Sequence, residues 1–236
     1  MPSRFFAKHV RSWGKAAALA IALATPIATA SAQTPEPADA SAEQPVAAES
    51  VQTVFAELSE QDQATLSAGQ VTVDAKRAGD KGQFIARVLI EAPTETAWDV
   101  LTDYDNFEQF LPNVEDSELL ESNGDEQVFQ QMNVISVVPG VLDIRSQVKI
   151  SSVESSPERV DFNLVEGDLK LLQGVWSLVP VTGEDGSETD KVLITHQVDI
   201  DPGESSPRGL FFSTYRLVLE DSLVAAKAET ERRAAQ

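Results

Sequence analysis

Ten residues, Asp103–Pro112 ("DYDNFEQFLP"), place three carboxylates (Asp103, Asp105, Glu108) among three aromatic rings (Tyr104, Phe107, Phe110). Carboxylates this close could do acid/base work if their surroundings drove their pKa values apart. These sit on short polar turns, where solvation keeps carboxylates ordinary, so Asp103 or Asp105 is expected to be the N-cap of a short helix. A calcium loop does not fit. An EF-hand needs oxygen ligands at positions 1, 3 and 5 and then Gly; counted from Asp103, position 5 is Phe107 and position 6 is Glu108. Phe107, Phe110 and Leu111 fall at i, i+3, i+4, one stripe of a helix.

The other candidate for chemistry is His196, in the series Val192-x-Ile194-x-His196-x-Val198-x-Ile200. In a strand these residues share one face, and all but His196 are aliphatic, so the imidazole points to the apolar side. It can be a buried neutral His, a polar group fixing a ligand's carbonyl or hydroxyl, or a general acid/base. No carboxylate partner is evident in the sequence. The chain has no Cys, which excludes thiol catalysis and thiolate metal sites. No G-x-S-x-G elbow is present.

Residues 1–32 are expected to be a secretory signal peptide. Arg4, Lys8, Arg11 and Lys15 precede the apolar run "AAALAIALATPIATA", and Ala30-Ser31-Ala32 supplies an A-x-A site. The run is Ala-rich and interrupted by Pro26, unlike a membrane span of about 20 strongly apolar residues. No Cys follows for a lipid anchor and no Arg-Arg pair precedes it. Export through a Sec-type route to a periplasm, an equivalent lumen or the medium is therefore expected, with no membrane anchor after cleavage. Cleavage would also remove His9, leaving His196 alone, too few ligands for the usual zinc enzyme sites. It would shift the net charge from −20 to −24 by removing four basic residues. So acidic a surface repels phosphate backbones and anionic headgroups, which argues against nucleic-acid binding and electrostatic membrane docking.

Residues 33–50 are rich in Pro, Ala, Glu and Ser and are expected to be a disordered linker. Residues 51–80 are expected to be an N-terminal extension. Val51, Val54, Phe55, Leu58 and Leu66 give it a helix stopped by Gly69, and a strand leads into a Gly79–Gly82 turn. The domain proper is expected over 81–232. It opens with a strand at Phe84–Glu91, then a short helix with Pro93 in its first turn and Trp98 facing the core. The 103–112 segment follows as a second short helix. Next come five or six strands. A hairpin is signalled at Asn123-Gly124 and a turn at Pro139-Gly140. In the strand after it, Leu142, Ile144, Val148 and Ile150 share a face. Gly174, on the face with Leu172, Trp176 and Leu178, marks a bend. A long amphipathic helix closes the chain, with Ser206 as N-cap and Pro207 as its first residue. Strands in series followed by one long helix argue α+β, a curved antiparallel sheet covered by that helix.

This chain resembles the START-like (SRPBCC) superfamily with its helix-grip fold, in particular the polyketide cyclase/dehydrase and lipid transport group, which includes coenzyme-Q-binding domains. The resemblance is carried by Ala92-Pro93, Ala97–Tyr104, Phe107 and Phe110–Pro112, by Glu166–Lys170 with Gly174–Leu178, and by the Pro207-led final helix. It covers about residues 81–230 and implies a cavity between sheet and helix. On that basis Trp98, Tyr104, Phe107, Phe110, Leu111, Trp176, His196, Phe211, Phe212 and Tyr215 are the candidate ligand-binding residues. No catalytic residue, metal ligand or cofactor is assigned. The resemblance implies a non-catalytic binder or carrier of a hydrophobic small molecule such as a lipid or isoprenoid quinone. The alternatives are a cyclase or aromatase acting on a polyketide-like substrate, and an acidic interaction module with a filled core.

Overall fold

A computed structural model describes residues 55–138, 142–183, 187–204 and 207–236. The expected signal peptide, the linker, the Pro139-Gly140 turn and the Ser206 cap lie outside them. The helices are α1 (Glu60–Ser67), α2 (Thr94–Leu101), α3 (Phe107–Phe110) and α4 (Arg208–Ala234), with 3-10 turns at Phe55–Glu57 and Tyr104–Asn106. The strands are β1 (Thr72–Ala78), β2 (Lys81–Ile90), β3 (Val114–Asn123), β4 (Glu126–Val138), β5 (Leu142–Ser155), β6 (Arg159–Gly167), β7 (Leu171–Thr182) and β8 (Glu188–Asp201). All eight form one antiparallel sheet in the order β1-β2-β8-β7-β6-β5-β4-β3. With α4 across it, this is the helix-grip fold.

Alternation explains the two faces of the sheet. On β2 the inward residues Phe84, Ala86, Val88 and Ile90 are buried, as are Val192, Ile194, His196, Val198 and Ile200 on β8. The outer face carries a smaller cluster. Leu89 and Leu193 point outward there, and Leu66 of α1 covers them with Phe55, Leu58 and Val181 beside it. Burying Leu66 fully is worth about 1.5–3 kcal/mol. Over the described residues the helix begins only after Ser59, which caps it, its Oγ accepting from the Asp62 N–H at 3.1 Å; Val51 and Val54 of the expected helix lie outside those residues. Gly69, at φ +78°, ends it as expected.

Helix α4 packs closely on β1, β2 and α2 and touches β4 only sparsely. One half of the curved sheet is therefore filled by the helix, and the other half stands away from it. Gly174 makes the curvature possible. A Cβ there would meet the Gln197 carbonyl oxygen at 2.1 Å and Phe162 Cζ at 2.7 Å. Pro207 and Pro93 each sit one residue earlier than expected, at the caps of α4 and α2 rather than inside the first turn. The β3–β4 turn likewise falls one residue later, at Gly124-Asp125, since Asn123 still pairs with Glu126.

Candidate functional site

Between α4 and the β3–β7 half of the sheet lies a cavity of about 210 Å³. Its roof comes from α4 (Phe211, Tyr215, Val218, Leu219, Ser222, Ala226), one wall from the 103–112 segment (Tyr104, Phe107, Phe110, Leu111), and its floor from the concave sheet face. Among the described residues that line it there is no Asp, Glu, Lys or Arg.

The 103–112 segment is a wall because its acids hold it in place. Asp103 holds the cap position of the Tyr104–Asn106 turn without a side-chain cap bond, Asp105 lies inside that turn, and the cap position of α3 falls to Asn106, which corrects the expectation that Asp103 or Asp105 caps the helix. Asp103 instead accepts from Arg233 Nη2 at 2.7 Å and from Asn106 Nδ2 at 2.6 Å. Asp105 accepts the Leu119 N–H at 2.7 Å, fixing the turn to β3. With the backbone tethered at both sides, the rings turn inward. Tyr104 stacks on Phe129 at 4.4 Å, and Phe107 meets Tyr104, Phe110 and Phe129 edge to face. The Tyr104 hydroxyl donates to Glu154 Oε1 at 2.8 Å and shares a hydrogen bond with Ser152 Oγ at 3.1 Å. Burial pushes its pKa above the usual phenol value.

His196 faces the cavity from β8 between two rings, Phe162 parallel at 5.5 Å and Trp176 at 3.8 Å. Its Nδ1 is buried with no hydrogen-bond partner, and burial lowers its pKa to about 3. It is a neutral imidazole at any physiological pH. Tyr215, stacked on Phe211 at 5.8 Å, is half-buried and lines the cavity. Burial raises its pKa as well. Among the described residues no group of three or more His, Asp or Glu could hold a metal ion.

Eight of the ten sequence-derived candidates therefore meet at the cavity: Tyr104, Phe107, Phe110, Leu111, Trp176, His196, Phe211 and Tyr215. Trp98 and Phe212 do not line it. Trp98 packs in the core under α2. Phe212 turns toward β1–β2, where its ring fits over Gly82, close enough that a Cβ there would lie 2.7 Å from it, and Arg77 sits 4.5 Å above the ring. Sequence reasoning did not single out Asn113, Gln131, Asn133, Ser146 and Ser152, which also line the cavity. On β4 the run Phe129-Gln131-Asn133-Ile135 was the available signal, a polar pair inside an inward-facing series.

The sequence model of the family described as "Polyketide cyclase / dehydrase and lipid transport" matches residues 90–223, more than half of the chain. The chain belongs to this family. Its START-like fold recurs in solved structures at low identity. The Zhui aromatase/cyclase from Streptomyces sp. R1128 is 17% identical with a TM-score of 0.54, covering 65% of this chain and 95% of that one. The STAR-related lipid transfer protein from Xanthomonas axonopodis (fragment 25–204) is 21% identical with a TM-score of 0.51, covering 68% and 98%. Human StAR-related lipid transfer protein 5 is 10% identical with a TM-score of 0.53, covering 70% and 83%. At these identities the likeness is one of fold. No curated protein matches the sequence.

Proposed function

We propose that this START-like protein is a non-catalytic binder or carrier of a hydrophobic small molecule, a lipid, an isoprenoid quinone or a compound of similar character, held in the cavity under α4. The observation that carries this reading is the lining itself: aromatic and aliphatic walls with a few neutral polar groups and, among the described residues, no charged side chain. His196, the group a proton-moving cyclase would need, favours binding over catalysis. With its pKa near 3 it lacks at neutral pH the imidazolium proton a general acid gives, and among the described residues no carboxylate orients it. The basic and Ala-rich pattern of residues 1–32 supports an exported carrier working outside the cytoplasm.

The test is native mass spectrometry of the protein purified from the compartment to which it is exported, before and after organic extraction. A ligand mass lost on extraction, together with uptake of the uncharged dye Nile red by the extracted protein, is the expected result. Protein that is always empty and takes up no dye would sink the proposal.

A further inference from the structure

Eight polar side chains that line the cavity make no side-chain hydrogen bond among the described residues: Trp176, His196, Tyr215 and Ser222, which lie apart from the β3–β5 strands, and a group of four, Asn113, Gln131, Asn133 and Ser146. For Asn113 Nδ2 and Ser146 Oγ the atom itself is buried and unpartnered. The four are neighbours in the sheet. Asn133 of β4 pairs with Val114 of β3 on one side and with Ser146 of β5 on the other. Asn113 precedes Val114, and its carbonyl accepts the Val134 N–H at 2.9 Å. Gln131 is two residues along β4 and on the same face. Three amides and a hydroxyl thus converge on one patch of an otherwise apolar cavity.

Such a patch is costly by itself. A buried polar atom without a partner is destabilising, and this applies to Asn113 Nδ2 and Ser146 Oγ; apolar side chains there would avoid that cost. The other polar groups nearby do not relieve it. The Tyr104 hydroxyl is already engaged by Ser152 and Glu154, and His196 sits between Phe162 and Trp176 on β8. A molecule in the cavity can supply the missing partners of Asn113 Nδ2 and Ser146 Oγ and bond the half-buried Gln131 and Asn133 amides beside them.

Charge decides what can supply them. Among the described residues no cation lines the cavity to neutralise a carboxylate or phosphate, and no anion lines it to neutralise an ammonium. The net charge of −20 further opposes an anion. Burying an unpaired ion costs more, even after relaxation, than neutral amide hydrogen bonds return. Building on the cavity as a ligand site, we infer that it selects amphipathic molecules with an uncharged hydrogen-bonding head, a carbonyl, hydroxyl or amide, seated on Asn113, Gln131, Asn133 and Ser146.

The test uses full-length protein loaded with Nile red and four C12 competitors at pH 7.5: dodecanamide, dodecanoate, dodecylammonium and dodecane. Dodecanamide is expected to displace the dye at concentrations at least about tenfold below those of either ion, which corresponds to about 1.4 kcal/mol. In the double variant Gln131→Leu/Asn133→Leu the advantage of the amide over dodecane should disappear while dodecane itself still competes. Ser146→Ala, a smaller change, should reduce that advantage in a variant with unaltered unfolding. Ions competing as well as the amide would overturn the inference while leaving the cavity a ligand site. So would an undiminished amide preference in the variants. Failure of the wild-type protein to take up the dye or any competitor would overturn the cavity reading, and this inference with it.

Discussion

Arg233, in the last turn of α4, donates from Nη2 to Oδ2 of Asp103 at 2.7 Å across 130 residues of sequence. The same guanidinium donates through Nε to Glu229 Oε1 at 2.7 Å and lies 5.7 Å from the centre of the Phe110 ring. One cation thus joins the end of the roof helix to the aromatic wall of the cavity. The carboxylate at the head of the 103–112 segment does not act on a ligand. It positions the rings that would meet one.

Removing this tether should loosen the wall. The Asp103 and Arg233 side chains are 23% and 26% exposed, so the pair is worth more than an open surface ion pair but less than a buried one. Asp103→Ala is expected to lower unfolding stability by about 1–2 kcal/mol and to speed Nile red release severalfold. Urea denaturation and stopped-flow release check the two parts. A variant with wild-type release kinetics would mean that the wall does not depend on the tether.

Glu229 gives this junction a pH dependence. Hydrogen bonds from Arg232, then from Arg233, hold its pKa down at about 2 despite partial burial. A carboxylate whose folded pKa lies below its unfolded value stabilises fully above the unfolded value and loses that contribution as pH falls toward the folded one. The window is therefore from about 4.5 down to about 2. Glu229→Gln should be less stable than the wild type at pH 7, with the gap closing below pH 4. Urea midpoints at pH 7, 5, 4 and 3 measure it; a gap constant with pH would contradict the assignment.

The parts of this molecule that were legible in the sequence obey local or periodic rules. Val192 to Ile200 announced an inward strand face, Gly174 a bend, and Phe107, Phe110 and Leu111 a helical stripe. Each is set by backbone geometry within a few residues. The partners of Asp103 were not legible, because Arg233 is brought to it only by the packing of α4. Nor was the polar patch. Gln131 and Asn133 face inward, yet polar side chains lining a cavity break the alternation by which an inward face is recognised. Phe212 was misplaced for a related reason. Adjacent rings at 211 and 212 both fit a wide apolar stripe, and it is the space above Gly82 that takes one of them away from the cavity.

His196 predicts an unfolding signature of opposite cause to that of an ion pair. Burial alone depresses its pKa to about 3. In the unfolded chain it would titrate near 6.5. Between these values the unfolded state binds one more proton, so stability from this source falls as pH drops below about 6.5 and goes on falling toward pH 3. In NMR titration the His196 ring signals of the folded protein should not move between pH 8 and 5. His196→Leu should remove about one proton from the pH slope of stability in that range. An imidazole signal that titrates near 6.5 in the folded protein would show that the ring is hydrated.

Gly174→Ala is the sharpest test of the curvature that creates the cavity. The added Cβ would meet the Gln197 carbonyl oxygen at 2.1 Å and Val198 Cα at 3.0 Å, backbone atoms of the neighbouring strand that cannot rotate away. Separating β7 from β8 at this point would disturb the register that sets Trp176 opposite His196. A loss of about 2–4 kcal/mol in unfolding stability is expected, in the range of overpacked or strained core sites. Gly203→Ala is the control: its added Cβ has nothing nearer than the Lys170 Cβ at 3.9 Å, although its φ of +80° carries a backbone cost of its own. That cost is about 1 kcal/mol, so Gly174→Ala must be the more damaging of the two. It should also weaken Nile red binding, because Trp176 and His196 both line the cavity. Equal losses in the two variants would indicate that β7 and β8 can separate at Gly174 without penalty, and that the bend of the sheet is set elsewhere.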